Sequence, residues 1–428
     1  MTAQAARVKD LVAQLEKSQW LPPERMAQAQ LARLAPLLSH AHATTGFYAA
    51  HWGKAFEGKS TALERIPLLR RRDLQERYDD ICSRALPPAH GKTQEGRTSG
   101  SSGMPVRVLK TELTGTYWRA LTLREHLWHK RDFSGKLAVI RRRAGDRSSS
   151  NWGTATHGLV ATGPAVGFEP SAPLDAQLDW LAREDPAYLL TYPSLAGELA
   201  RRSLARGLRL PSLKGVRTLG ELLPPETREA CREAWGVGVT DSYSCEELGY
   251  LALQCPGREH YHVQSEAVIL EVLDDAGRPC KPGAVGRVVA TALHNYATPL
   301  VRYELGDYAE VGEPCACGRG LPVLRRIVGR TRNMFVTAGG ERFWPSFGSR
   351  SLNQVAPIVQ HQFVQKAHDL VEARLVTGAP LGPGQEEALR KLILRQLPAG
   401  VRVEFAYPER IERSAGGKFE DFKSELAA

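Results

Sequence analysis

The segment RTSGSSGMPV, Arg97 to Val106, is where this chain concentrates groups able to hold an anion. Thr98, Ser99, Ser101 and Ser102 bring hydroxyls, and Gly100 and Gly103 permit positive φ, so backbone N–H groups and side chains can converge on a polyphosphate. An ordinary polar loop is the competing reading of the same composition. The segment does not fit GxxxxGK[ST] and holds no lysine, which argues against P-loop chemistry. A second set of residues suits a metal. Cys255, His262, Cys315 and Cys317 supply thiolate and imidazole, which zinc prefers, and four such ligands make a closed tetrahedral structural site. The C-x-C spacing is tighter than the usual C-x-x-C, with Gly318 allowing the sharp turn. His260 stands on the same strand face as His262 and is the rival nitrogen ligand. Free thiols are the alternative, and Cys82, Cys231, Cys245 and Cys280 read as small buried apolar residues.

The chain that must position these groups has 428 residues, 42% hydrophobic and 24% charged. That composition folds, and the length allows two or three units at roughly 150 residues each. No run approaches the roughly 18 apolar residues of a membrane helix. Lys9, Asp10, Glu16 and Lys17 occupy the stretch where a secretion signal needs an apolar core. A cytoplasmic protein with no membrane partner is expected. The net charge of +10, from 57 basic and 47 acidic residues, fits either a nucleic-acid binder or an enzyme that handles anions. Arg70 to Arg72 and Arg141 to Arg143 form clusters without interleaved aromatic residues, so solvated faces are expected rather than a base-stacking platform. Seven cysteines, an odd number without a secretion signal, argue against a disulfide framework.

Val8, Leu11, Val12 and Leu15 share one face at helical spacing before Pro22-Pro23 stops the pattern, and a second helix is expected from Met26 to about Ala43. LERIPLLRRRDLQERYDD then reads as a short loop and an amphipathic helix. From about Ala187 the rhythm changes. AYLLTY, KGVRTLG and VGVTDSYS are strand-like, with helical SLAGELARRSLARG and PPETREACREAWG between them. This alternation implies βαβ units and a parallel sheet. Ligands on such sheets bind beyond the carboxyl ends of the strands, where Gly220-Glu221 and Asp241 to Glu247 fall. AVILEVLDDAGRPCKPGAVGRVVATAL alternates around Asp275-Ala276-Gly277 as a β-meander does. GRTRNMFVTAGGERFWPS is a basic, glycine-containing connector, and the remainder to Ala428 is long enough for a small separate domain.

TSGSSGMP is followed in order by LGELLPPE (219 to 226), DSYSCEELG (241 to 249), PLVRYELGD (299 to 307), RIVGRTRN (326 to 333) and SAGGKF (414 to 419). The set resembles the adenylate-forming superfamily of acyl- and aryl-CoA synthetases. Its details are most similar to the phenylacetate-CoA ligase and capsular-biosynthesis adenylating branch, through LSHAHATTGFY, IPLLRRRDL and GGERFWPS. The resemblance covers about Leu31 to Phe419. It implies an α/β protein with a large N-terminal domain, residues 1–329, holding βαβ units and a β-meander, and a small mobile α+β C-terminal domain, residues 330–428.

Thr98, Ser99, Gly100, Ser101, Ser102 and Gly103 would hold the ATP phosphates. Gly220 and Glu221 would line the adenine site, and Tyr243 would lie against the ring. Glu247 would bind magnesium, a hard ion suited to a carboxylate. Asp307 would accept from the ribose hydroxyls with Arg330 beside it, Arg332 would stand at the inter-domain hinge, and Lys418 would bridge the acyl carboxylate and the α-phosphate. The branch also resembles this chain in its Cys/His set.

Three positions depart from the family pattern. Glu246 stands where Ser or Thr is usual, Ser244 where Gly is usual, and Arg332 where Asp or Lys is common. The implied activity is ATP-dependent conversion of a carboxylic acid, aromatic or otherwise hydrophobic, to acyl-AMP, then transfer to the thiol of coenzyme A or of a carrier protein's phosphopantetheine. Trp152 to Gly167 and Ser242 to Cys245 would line the acid pocket. The cofactors would be ATP, magnesium and structural zinc. An amine or alcohol acceptor, AMP transfer to a cofactor, or a basic nucleic-acid-binding protein are the rival readings.

Overall fold

The computed structural model describes residues 2–52, 63–98, 105–142, 144–145, 147–414 and 417–426. A twelve-stranded sheet runs through the larger part. In spatial order its strands are Val268–Leu273, Val285–Ala292, Tyr303–Val311, Val323–Arg330, Tyr261–Val263, Gly249–Gln254, Val239–Cys245, Gly215–Leu219, Tyr188–Thr191, Leu137–Ile140, Ala165–Phe168 and Ser148–Ser149. The five neighbours from Ala165–Phe168 to Val239–Cys245 are parallel. From Val239–Cys245 onward every pairing toward Val268–Leu273 is antiparallel.

The parallel half follows from its crossovers. Helices Leu174–Glu184, Pro193–Arg206 and Pro225–Trp235 return the chain to the start of the next strand. Proline opens the last two at their first turn, and Gly207 (φ +63) and Gly236 (φ +71) end them in the left-handed conformation. These helices bury Leu178, Leu181, Leu195, Leu199 and Trp235 against Ile140, Leu189 and Val216 of the strands. Helix Glu112–Trp128 is buried on nearly all sides, packed on helix Ala3–Ser18 and on Leu253 of the sheet. The hairpin Thr93–Arg97/Arg107–Thr111 pairs Arg97 with Arg107, next to Thr98 and Val106.

A smaller four-stranded sheet, in the order Arg402–Ala406, Leu370–Thr377, Ile358–Ala367, Phe422–Ser424, carries its own core of Phe335, Phe347, Phe363, Leu375, Leu389 and Phe422. The expected α/β architecture, with βαβ units, a meander and a smaller C-terminal sheet domain, is thus observed. Among the described residues no helix is long and apolar enough to cross a membrane.

A buried ion pair ties the first helix to this frame. Arg124, 1% exposed, donates to Glu266 at 2.8 and 3.1 Å, to Gln264 at 2.9 Å and to the carbonyl of Leu15, while Ser18 Oγ donates to Glu266 at 2.6 Å. Burial works to raise the Glu266 carboxyl, but Arg124 beside it holds it below the usual range. Its contribution to stability is therefore present above the unfolded carboxylate value and lost as pH falls through the lower folded one. Glu266→Ala strands a buried guanidinium and should cost about 3–5 kcal/mol in urea unfolding. A loss below about 1 kcal/mol would show that the pair does not hold the helix.

Candidate active site and metal centre

Strand Val239–Cys245 is parallel to one neighbour and antiparallel to the other, and the tight turn to Gly249–Gln254 is Glu246-Glu247-Leu248. Two carboxylates thus stand at the seam, beside the carboxyl end of Gly215–Leu219, where Gly220 turns with φ +86. A cleft of about 2530 Å³ opens there, lined by Gly220, Glu221, Tyr243, Glu247, Asp307 and Lys418 among others.

Both turn carboxylates face cations. Glu247, 6% exposed, receives Arg71 Nη1 at 3.3 Å and the hydroxyl of Tyr303 at 3.4 Å. Lys110 Nζ donates to Glu246 Oε1 at 2.5 Å. Glu246 is therefore tied to strand Arg107–Thr111 of the hairpin. Arg71, read from composition as part of a solvated cluster, instead points at Glu247; its neighbour Arg72 keeps to an exposed pair with Glu76 at 2.7 Å. Of the glycine-rich loop, Ser99, Gly100, Ser101, Ser102 and Gly103 lie outside the described residues. Thr98 closes the loop's base, its N–H donating to Val106 O and its Oγ1 accepting from Val106 N, both at 2.9 Å.

Asp307 pairs with Arg330 across adjacent strands. Its Oδ1 accepts from Arg330 Nε and its Oδ2 from Tyr243 OH, each at 2.8 Å. Burial, and then the Asp307 charge, push the Tyr243 hydroxyl well above its ordinary value, so it stays protonated and donates. Tyr243, Asp307 and Arg330 are brought together as one unit, where the sequence suggested separate contacts to base and sugar.

Lys418 reaches this place from the C-terminal domain. A Cβ on Gly220 would meet Lys418 Cε at 3.1 Å and Nζ at 3.4 Å, so glycine leaves the room that the ammonium chain occupies. Burial, then the like charge of Arg330, lower the Lys418 ammonium from its ordinary value, against the opposing pull of Glu221, Asp307 and Glu247. Glu221, expected at the adenine, lines the cleft and accepts from two backbone N–H groups. Its Oε1 accepts the Phe419 N–H at 2.6 Å and its Oε2 the Ser194 N–H at 2.9 Å. Arg413, before the lysine, donates to Ser194 Oγ and Glu198 at 2.7 Å each. Arg332 sits in the turn Thr331–Asn333 after the last strand of the large sheet and is ion-paired with Glu420. Arg71, Lys110 and Arg413 were missed as site residues, because nothing in their local sequence marks a partner so distant.

In the cysteine and histidine set, the ligand atoms of Cys255, His260, His262 and Cys315 all lie within 4.8 Å of one another. The structure thus puts His260 into the group where Cys317 was expected. Cys317 stands at its edge, with Sγ 3.3 Å from His262 Nε2. The Cys255 and Cys315 sulfurs are 3.8 Å apart and His260 Nε2 is 3.0 Å from Cys315 Sγ. With Zn–S near ~2.3 Å, the sulfur–sulfur edge of a tetrahedron is about 3.8 Å, so the sulfurs already have the spacing a zinc ion imposes. Burial pushes the Cys255 thiol up to about 12, and burial pulls His262 down to about 4, the neutral ligand form.

If Glu221 is the latch of the Lys418 loop, Glu221→Ala should slow any reaction that uses Lys418 by about 10-fold or more while leaving the melting temperature of the large domain unchanged. Unchanged kinetics would show that the loop is held without it.

No protein-family model matches the chain. It is 26% identical to a phenylacetate-coenzyme A ligase of Thermus thermophilus over 93% of this chain and 96% of the relative, and 22% identical to one of Pseudomonas putida over 92% and 91%. Among solved structures, a 2-hydroxyisobutyryl-CoA ligase in its postadenylation state matches at a TM-score of 0.73 and 23% identity, covering 95% of this chain and 90% of that one. The resemblance carried by the ordered motifs is therefore borne out: the chain has the fold of the adenylate-forming CoA ligases, with phenylacetate-CoA ligases among its full-length relatives.

Proposed function

We propose that the protein is an ATP-dependent, AMP-forming carboxylate–CoA ligase. The observation that carries this is the arrival of Lys418, from a separate domain, in a cleft that already holds Asp307, Arg330 and Tyr243 on one side and Glu247 on the other. Adenylation needs polar groups that hold a nucleotide and a cation that reaches the two reacting anions.

In the first half-reaction an oxygen of the acid's carboxylate attacks the α-phosphorus of ATP. The new O–P bond forms as the bond to pyrophosphate breaks, and both electrons of that bond leave with pyrophosphate. Lys418 bridges the two approaching anions, which would otherwise repel one another. Asp307 and Arg330 orient the nucleotide, and the loop from Thr98 to Val106 supplies N–H groups to its phosphates. Glu247 is the magnesium ligand; a carboxylate facing the cleft and drawn to a cation fits a hard divalent ion, which would neutralise phosphate charge when bound. In the second half-reaction the thiol of coenzyme A attacks the acyl carbon, a C–S bond forms, AMP departs, and the thiol proton passes to solvent. Lys418 has no part in that step, and the C-terminal domain, residues 330–428, turns about Arg332 to admit the thiol. Cys255, His262 and Cys315, with His260 or Cys317 as fourth ligand, would hold a structural zinc ion that takes no part in the reaction. The protein works in the cytoplasm.

Lys418→Ala should cut acyl-adenylate formation roughly 100-fold or more yet consume prepared acyl-adenylate plus coenzyme A at near the native rate; equal loss in both half-reactions would contradict the assignment. Glu247→Gln should lose about 100-fold in magnesium-dependent adenylation with the fold retained, and near-normal exchange would move the metal to Glu246. Metal analysis should find about one zinc per chain, with Cys255→Ser and Cys315→Ser lowering both zinc content and melting temperature. A fully stable zinc-free protein would refute the site, and comparing His260→Ala with Cys317→Ser identifies the fourth ligand.

A further inference from the structure

The hairpin Thr93–Arg97/Arg107–Thr111 carries charge on both faces. Directly opposed residues share a face, so Glu95, Arg97 and Arg107 stand on one side and Gln94, Gly96 and Lys110 on the other. The first side is balanced within the hairpin, where Glu95 accepts from Arg97 at 2.6 Å and from Arg107 at 2.7 Å. On the second side Lys110 reaches across to Glu246 Oε1 at 2.5 Å, one residue before Glu247 in the turn at the seam. Gly96 leaves the room for this pair. A Cβ there would meet Glu246 Oε1 at 3.0 Å, Lys110 Cε at 3.1 Å and Lys110 Nζ at 3.3 Å, and Gly96 is not among the glycines at positive φ, so space is what a side chain would take.

As a tie between two elements the pair is weak. Its side chains are 28% and 45% exposed, a setting in which an ion pair contributes about 0–1 kcal/mol, so it exchanges easily. Lys110, Glu246 and Glu247 all line the cleft. Adjacent carboxylates repel a polyphosphate, and the segment Arg97 to Val106 holds no lysine to oppose them. Two cations stand at this turn. Arg71 lies against Glu247, whose side chain is 7% exposed, whereas Lys110 sits on the open carboxylate and carries its point charge on a flexible stem.

We propose that Lys110 is a phosphate-binding residue: its ammonium leaves Glu246 when the nucleotide enters and donates to oxygens of the β- and γ-phosphates, the part that departs as pyrophosphate. The inference rests on the ATP-dependent function proposed above and adds the cation that holds the leaving group. Lys418 attends the acid and the α-phosphate, while Lys110 stands beside Glu247, whose metal would sit on the leaving phosphates. Glu246 is then the resting place of the ammonium, which keeps the charge at the cleft until a stronger anion takes it.

The test is equilibrium titration of the full chain with magnesium–ATP and with AMP, which lacks the two phosphates concerned. Lys110→Met should weaken magnesium–ATP by roughly 10-fold or more while leaving AMP within about threefold of native. The double variant Lys110→Met/Glu246→Gln separates contact from charge balance, and it should remain as weak for ATP as Lys110→Met alone. Native ATP affinity in the double variant overturns the inference, because Lys110 would then serve only to cancel Glu246. Equal weakening of ATP and AMP by Lys110→Met assigns the pair to the shape of the site and overturns it too, as does unchanged ATP affinity; in each case the ligase function stands. A native protein that binds neither nucleotide overturns that function and the inference with it.

Discussion

Strand Val239–Cys245 is where the sheet changes pairing direction, and the site depends on that seam. Parallel partners enter from one side through helical crossovers, while the antiparallel partner Gly249–Gln254 follows through a three-residue connection. Glu246 and Glu247 occupy that connection, so the acidic groups of the cleft are placed by sheet topology rather than by a flexible loop. The same seam aligns the end of Gly215–Leu219, where Gly220 turns and leaves space for Lys418.

The acidic groups of the cleft are balanced before any substrate binds. Glu247 faces Arg71, Glu246 faces Lys110 and Asp307 faces Arg330. Carboxylates crowded at one strand end would repel each other, and pairing with cations offsets that repulsion. It also means that a charged ligand entering the cleft would exchange partners with groups already in place, so little reorganisation is needed. Glu221 works differently, using its carboxylate on two backbone N–H groups, of Phe419 and of Ser194. One acceptor thereby holds the C-terminal loop against the start of helix Pro193–Arg206.

Much of this was legible in the residues. The helices Ala3–Ser18, Pro193–Arg206 and Pro225–Trp235 announce themselves by apolar spacing and by proline and glycine at their ends, and the strands between them by short apolar runs. The order of the motifs brought Gly220, Tyr243, Asp307, Arg330 and Lys418 to attention together. Contacts between distant residues were not legible. Arg71 and Glu247 are 176 positions apart and Tyr243 and Asp307 are 64, so no local pattern records their meeting. The metal set shows the same limit. The expected set held Cys317 as well as Cys315 and took His260 only as the rival of His262, whereas the fold puts the His260 ring 5.4 Å from that of His262, so both imidazoles reach the group.

The central claim is that one cleft couples a carboxylic acid to AMP before coenzyme A enters. Product analysis of the native protein with ATP, magnesium, coenzyme A and a panel of carboxylic acids tests it most directly. The account predicts acid-dependent release of pyrophosphate and AMP in equal amounts, with one acyl-CoA formed per AMP and pyrophosphate exchange that persists without coenzyme A. Release of ADP and phosphate, or exchange that requires coenzyme A, would contradict it.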